Sequence, residues 1–261
     1  NLLKKIDISI PEIFERYDNE LIMISEDLGN LRFDKILNKF YIKDILNYAL
    51  DSLIVINNSI KYENDLKLVK YDFNNLKTEI SELSEYYFPY INNKKLDLLD
   101  EFLFIWSEIF KNINFEFNSF AHKDFNMNNL IYLPSKKNHL KCGIIDFQSA
   151  FWGHDSWDLF SLLEDSRILY TDEFNEYFIK YFHSNINSFN TLENFKIQYN
   201  FLNASRQTRL LGRWVKLATE QNNNFYLKFI PITLARLKKS IKLVNNKNLN
   251  RFYNKYFFIN K

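Results

Sequence analysis

His122-Lys123-Asp124-Phe125-Asn126-Met127-Asn128-Asn129 sets a histidine, a carboxylate and a carboxamide at H-x-D-x-x-x-x-N spacing, and Gly143-Ile144-Ile145-Asp146-Phe147 follows as an apolar run ending in D-F. Those residue types suit phosphoryl transfer to a hydroxyl. The attacking hydroxyl needs a carboxylate beside it to take its proton, and a nucleotide-bound Mg²⁺ needs hard oxygen ligands. Asp124 is the candidate base, and Asn129 and Asp146 are the candidate metal ligands. Each block alone is common; their order and separation are not. The alternative reading makes Asp124 a cap, Asn129 a turn residue and Asp146 a strand-end carboxylate, but three independent caps have no reason to share this spacing.

The elements that must position these groups are legible around them. Residues 130–133, 134–139 and 140–145 read as strand, polar turn and strand, a hairpin that holds Asn129 at the start of one strand and Asp146 at the end of the other, close enough to share a cation. Upstream lies a strand over 21–25, a connector over 26–30 and helices over 33–57, 75–87 and 96–112. Downstream, apolar residues recurring every three or four positions predict helices over 156–165, 171–182, 192–219 and 225–244. The fold class is therefore α+β, mostly helical with a small catalytic hairpin.

At these residues the chain resembles the aminoglycoside phosphotransferase and choline kinase superfamily. The stretch Phe147-Gln148-Ser149-Ala150-Phe151-Trp152-Gly153-His154-Asp155-Ser156-Trp157-Asp158-Leu159 is similar to the D-F-Q-D-A-x-x-G-x-x-x-Y-D-L segment of one branch. That branch comprises the kinases that phosphorylate the anomeric hydroxyl of N-acetylmuramate and N-acetylglucosamine. Pro11-Glu12-Ile13 through Leu21 to Gly29 looks like its lobe connector, Leu76-Lys77-Thr78-Glu79-Ile80 with Glu85-Tyr86-Tyr87-Phe88 resembles its R-R-E-L and E-W-Y-L pair, and Arg206 to Trp214, with Tyr226-Leu227 and Pro231 following, resembles its C-terminal helix pair. The resemblance implies a protein-kinase-like large lobe, ATP and Mg²⁺ as cofactors, and phosphorylation of an amino sugar in cell-wall recycling. It also implies roles for further residues: Glu26, Asp27 and Leu28 at the adenine, Lys123, Asn128, Glu79 and Arg206 at the substrate, and His122 and Asp158 as structural supports of the loop.

The chain departs from the branch at Ser149, where a second acidic residue is usual, and at Lys123 and Asn128, where arginines are usual, so the identity of the sugar stays open. A kinase also needs a Gly-rich loop and a Lys for the phosphates. Only Gly29, Gly143, Gly153 and Gly212 occur, none in such a loop, and Lys4 and Lys5 precede too short a segment to serve. The sequence is accordingly expected to lack most of the N-terminal lobe, with residues 1–30 a remnant of that lobe plus connector and residues 31–261 the large lobe. A bare large lobe would expose the apolar face that normally packs on the small one.

Formal net charge is +2, with 34 basic and 32 acidic residues interspersed, which leaves no electrostatic footprint for nucleic acid. Small-molecule substrates fit, no apolar stretch is long enough to span a membrane, and the single cysteine, Cys142, fits a reducing cytoplasm. Two other functions remain open: the same chemistry on an aminoglycoside or choline-type acceptor, and a nucleotide-binding or regulatory protein without turnover. The intact Asp124, Asn129 and Asp146 argue against the last.

Overall fold

The computed structural model describes residues 2–37, 40–62, 66–94, 97–188 and 190–258. In chain order the elements are α1 (Leu2–Lys5), β1 (Ile13–Tyr17), β2 (Ile22–Ser25), α2 (Phe33–Ile36), α3 (Ile42–Ser59), α4 (Phe73–Glu82), α5 (Phe88–Asn92), α6 (Leu99–Asn112), β3 (Ser119–Ala121), β4 (Leu130–Tyr132), β5 (Cys142–Ile144), β6 (Phe151–Gly153), α7 (Trp157–Leu163), α8 (Asp172–Asn185), α9 (Leu192–Glu220), α10 (Ile230–Val244) and α11 (Lys247–Tyr256). The strands form three antiparallel pairs, β1 with β2, β3 with β6 and β4 with β5. This is the mostly helical α+β arrangement expected. Two compact units are interleaved along the sequence: Asn1–Val69, Asn118–Leu163 and Thr171–Phe189 make the first, and Lys70–Phe117, Glu164–Tyr170 and Asn190–Lys261 the second.

In the first unit α3 turns a buried stripe of Ile45, Leu46, Ala49, Leu50, Leu53 and Ile56 inward at helical spacing. Its Ser52 hydroxyl donates to the His139 carbonyl at 2.9 Å, which fixes the turn between β4 and β5 on the helix. The single helix expected over 33–57 is two helices. Leu31 accepts from the Tyr132 N–H at 2.8 Å and Arg32 bridges to Ile131, so the chain entering α2 is tied to β4, and α3 starts anew after an extended Tyr41. The strand expected at 21–25 is β2, and it pairs with β1, which the sequence reading did not assign. Ile13, Phe14, Leu21, Ile22, Met23 and Ile24 are all exposed on this hairpin.

The second unit is organised by α9, 29 residues long, with α4 and α10 packed on it. The helix expected over 75–87 begins at Phe73 because Asp72 caps it: its carboxylate accepts from the Asn75 N–H at 2.9 Å while the Asn75 side chain accepts from the Asp72 N–H at 3.0 Å. Its last turn widens into a π-helix, Leu83–Tyr87. The helix expected over 225–244 opens as a 3₁₀ turn, Asn224–Phe229, before α10, and α11 was not expected.

Gly212 is where α9 meets α4. A Cβ at this position would lie 2.2 Å from the Glu82 carbonyl oxygen and 2.3 Å from its carbon, and backbone there cannot yield. The neighbouring Arg213 holds the same residue, donating to the Glu82 carboxylate at 2.6 and 3.1 Å. Gly212→Ala should therefore destabilise the protein by about 3 kcal/mol through overpacking. A urea midpoint unchanged from wild type would contradict this contact.

Candidate active site

The loop over residues 122–129 leaves the end of β3 at Ala121 and enters β4, so it spans the gap between two strand pairs. Three contacts fix it. Asp158, in the first turn of α7 and 5% exposed, accepts from the N–H of His122 at 2.7 Å and of Lys123 at 3.1 Å. Asn129 uses its side-chain amide to donate to the Asp124 carbonyl at 2.9 Å, and Asn126 donates to the same carbonyl at 3.0 Å. The third contact is at Ile145, whose N–H donates to the Asn129 carbonyl at 3.1 Å and whose carbonyl accepts from His122 Nε2 at 2.9 Å.

That clamp on Ile145 is what joins the two sequence blocks. The β4–β5 register pairs Leu130 with Ile144, and the Asn129–Ile145 bond continues the ladder by one step, so Asn129 and Asp146 emerge at the same end of the hairpin. His122 adds the cross-link from the loop. Two residues pay for this geometry with left-handed backbone, Lys123 at φ 81° and Asp146 at φ 68°. Asp tolerates that region better than most residues, whereas Lys does not, and such outliers persist only where surrounding bonds hold them.

Electrostatics follow from burial. Burial pushes the His122 imidazole below its ordinary value, while the Ile145 carbonyl and the carboxylates of Asp124 and Asp146 pull it back up. The ring is therefore neutral near pH 7 with its proton on Nε2, and both carboxylates act on this one side chain. Its other nitrogen, Nδ1, is buried without a partner among the described residues. Asp158 is pushed up to about 7 by burial, offset by the two N–H donors and raised further by Asp124. Because this folded value lies above that of an unfolded Asp, about 3.9, the contribution of Asp158 to stability is present below about pH 4 and is lost as pH rises through about 7. Relative to Asp158→Asn, the wild-type unfolding free energy should fall over this window with a slope of up to about 1.4 kcal/mol per pH unit. Parallel pH profiles of the two proteins in urea titrations would refute it.

Asp124 is exposed, and its carboxylate makes no hydrogen bond among the described residues, which leaves both oxygens for an acceptor hydroxyl. The metal reading is tested by the donors. With its amide nitrogen committed to Asp124, Asn129 has its carbonyl oxygen to offer a cation, and Asp146 is an exposed carboxylate with one oxygen oriented by Gln148 Nε2 at 2.7 Å. No group of three His, Cys, Asp or Glu among the described residues is placed to hold a metal by itself. Two hard oxygens completed by nucleotide phosphates and water suit Mg²⁺.

The connector lies in the same unit. Glu26 exchanges bonds with Glu12, its N–H donating to the Glu12 carbonyl at 2.8 Å and its carboxylate accepting from the Glu12 N–H at 3.1 Å, and the Asp27 carboxylate accepts from the Gly29 N–H at 2.8 Å. The Glu26 carbonyl and the Leu28 N–H have no partner among the described residues, the pair of backbone groups a base edge requires. Leu28 settles on β5 because Gly143 has no side chain; a Cβ there would lie 2.9 Å from Leu28 Cδ1. Lys123 and Asn128 sit on the loop itself, Asn128 donating its N–H to Asn126 Oδ1 at 3.0 Å. Glu79 and Arg206 belong to the second unit, where Glu79 accepts from Tyr71 at 3.1 Å and Arg206 is on α9. Sequence reasoning missed Gln148, Asn126 and Ile145. The Asn126-x-Asn128 spacing is a side-chain turn signal that was available; the role of Ile145 is made by its backbone and left no signal.

The phosphotransferase enzyme family model, APH, matches residues 76–192. The N-acetylmuramate/N-acetylglucosamine kinase of Caulobacter vibrioides is 26% identical over 234 residues, covering 86% of this chain and 64% of the relative's length. Among solved structures, the ethanolamine kinase of Plasmodium vivax superposes with a TM-score of 0.60 at 14% identity, covering 92% of this chain and 68% of that one. The choline kinase of Streptococcus pneumoniae does so with 0.54 at 16% identity, covering 94% and 77%. Residues 76–192 thus match a phosphotransferase enzyme family model, and the chain has the fold of these kinase structures.

Proposed function

We propose that the protein is a MgATP-dependent phosphotransferase acting on a small-molecule hydroxyl, the anomeric hydroxyl of N-acetylmuramate or N-acetylglucosamine, in cell-wall recycling in the cytoplasm. The observation that supports the reading is the Ile145 clamp, which ties His122 and Asn129, at the two ends of the Asp124 loop, to the residue before Asp146. Asp124 takes the proton as the acceptor oxygen bonds to the terminal phosphorus of ATP and the bond to the leaving ADP oxygen breaks. Asn129 and Asp146 would hold Mg²⁺, which would supply charge neutralisation at the phosphates. The Glu26 carbonyl and Leu28 N–H pair with the adenine, and Lys123 and Asn128 border the transferred phosphate.

An anomeric hydroxyl is more acidic than an ordinary alcohol, so an exposed carboxylate such as Asp124 suffices as its base. Support for the sugar comes from the relative in Caulobacter vibrioides and from the branch resemblance. The single cysteine, buried and unpaired, supports the cytoplasm, and no helix among the described residues is long and apolar enough to cross a membrane. ADP release by the full-length protein across N-acetylmuramate, N-acetylglucosamine, kanamycin and choline tests the assignment. Turnover of either sugar in preference to the cations is expected; turnover of kanamycin or choline with none on the sugars would overturn it.

A further inference from the structure

A groove of about 770 Å³ lies in the second unit between α6 and α11, bordered by the turn that leads from α10 into α11. Each wall is one face of a helix. Glu101, Ile105, Glu108 and Asn112 recur every three or four positions along α6, and Asn248, Arg251 and Lys255 do so along α11. Ile105, Ile109 and Phe252 are buried and give the groove an apolar floor. Phe102 and Phe252 meet with ring centroids 5.3 Å apart, so the adjoining Glu101 and Arg251 stand at one level on opposite walls.

Charge is divided between the walls, acidic on α6 through Glu101 and Glu108, basic on α11 through Arg251 and Lys255. Glu108 pairs along its own helix with Lys111 at 3.2 Å, and Lys255 lies 4.8 Å from the centre of the Tyr256 ring; no ion pair crosses the groove among the described residues. Phe104 lines the groove as well and is 64% exposed, a large aromatic set among charges, which is the composition of a surface that another protein covers. A groove with one acidic and one basic wall is complementary to itself. A two-fold axis along it lays the α6 of each copy on the α11 of the other, so that the Glu101–Arg251 contact is made twice. A partner carrying charge of a single sign would gain at one wall and be repelled at the other, whereas a second copy gains at both.

We propose that this face joins two copies of the chain in an isologous dimer, Glu101 and Glu108 of one copy against Arg251 and Lys255 of the other, with the Phe104 ring of each entering the groove of its mate. The pairs lie at the surface, so the association is reversible and sensitive to salt. Sedimentation equilibrium of the full-length protein should show a monomer–dimer equilibrium whose Kd rises about 10-fold or more between about 0.05 and 0.5 M NaCl. Arg251→Glu and Glu101→Arg should each weaken the dimer about 100-fold or more, because each sets like charges opposite one another at both symmetry-related contacts. Mixing the two variants should restore it, since a chain with two basic walls then meets a chain with two acidic ones. Both substitutions change exposed side chains, and a thermal melt checks the fold of each; if Glu101→Arg does not fold, Glu108→Arg takes its place in the mixture. Phe104→Ala should weaken the wild-type and the mixed dimer alike. A wild type that stays monomeric at about 100 μM in low salt leaves the groove to a different partner and overturns the proposal. So does a dimer that the single reversals leave intact, or a mixture of the variants that stays monomeric. Sedimentation needs no substrate, so its outcome is independent of the reading of the active site.

Discussion

Asp124→Asn in the full-length protein is expected to lower kcat by about 10² to 10⁴ with nucleotide affinity little changed, the effect of losing a general base. The substitution is a clean one in this fold. The carboxylate makes no hydrogen bond among the described residues, while the backbone carbonyl of Asp124 holds the loop by accepting from the Asn126 N–H, the Asn126 side chain and the Asn129 side chain. None of those bonds involves the group removed. Steady-state kinetics with nucleotide titrated by fluorescence separates the two quantities, and an unchanged kcat would show that Asp124 is not the base.

Asp146→Asn is expected to cost about 10³-fold or more in turnover, because it replaces the one carboxylate proposed for Mg²⁺ by a neutral oxygen. The loop should keep its shape, since the Ile145 clamp uses backbone groups and His122, and the hydrogen bond of the Asp146 carboxylate among the described residues is the one from Gln148 at 2.7 Å. Raising the Mg²⁺ concentration should restore part of the rate in Asp146→Asn and none in Asp124→Asn. A full rate at the wild-type Mg²⁺ requirement would remove Asp146 from the metal site.

The parts of the fold that were readable in the sequence are those governed by local rules. The β4–β5 hairpin was legible because its strands are apolar and its turn polar, and the long helices because their apolar faces repeat. Strands β3 and β6, three residues each, are too short to show alternation and exist because Ser119, Phe120 and Ala121 find Gly153, Trp152 and Phe151 in space. Leu249, Phe252, Tyr253 and Tyr256 do carry a helical spacing for α11, obscured by the asparagines and lysines between them. At the candidate site, residue types and spacing singled out Asp124, Asn129 and Asp146 for comparison with the structure. The Ile145 clamp and the hold on the left-handed Lys123 were not visible, because each depends on a partner more than ten residues away rather than on a neighbour.

The most direct measurement is ³¹P NMR of the full-length protein incubated with MgATP and N-acetylmuramate or N-acetylglucosamine. A sugar 1-phosphate resonance, coupled to the anomeric proton and growing in step with ADP, is the expected result. ADP appearing with inorganic phosphate alone, or no consumption of ATP with either sugar, would contradict phosphoryl transfer from this site to an amino-sugar hydroxyl.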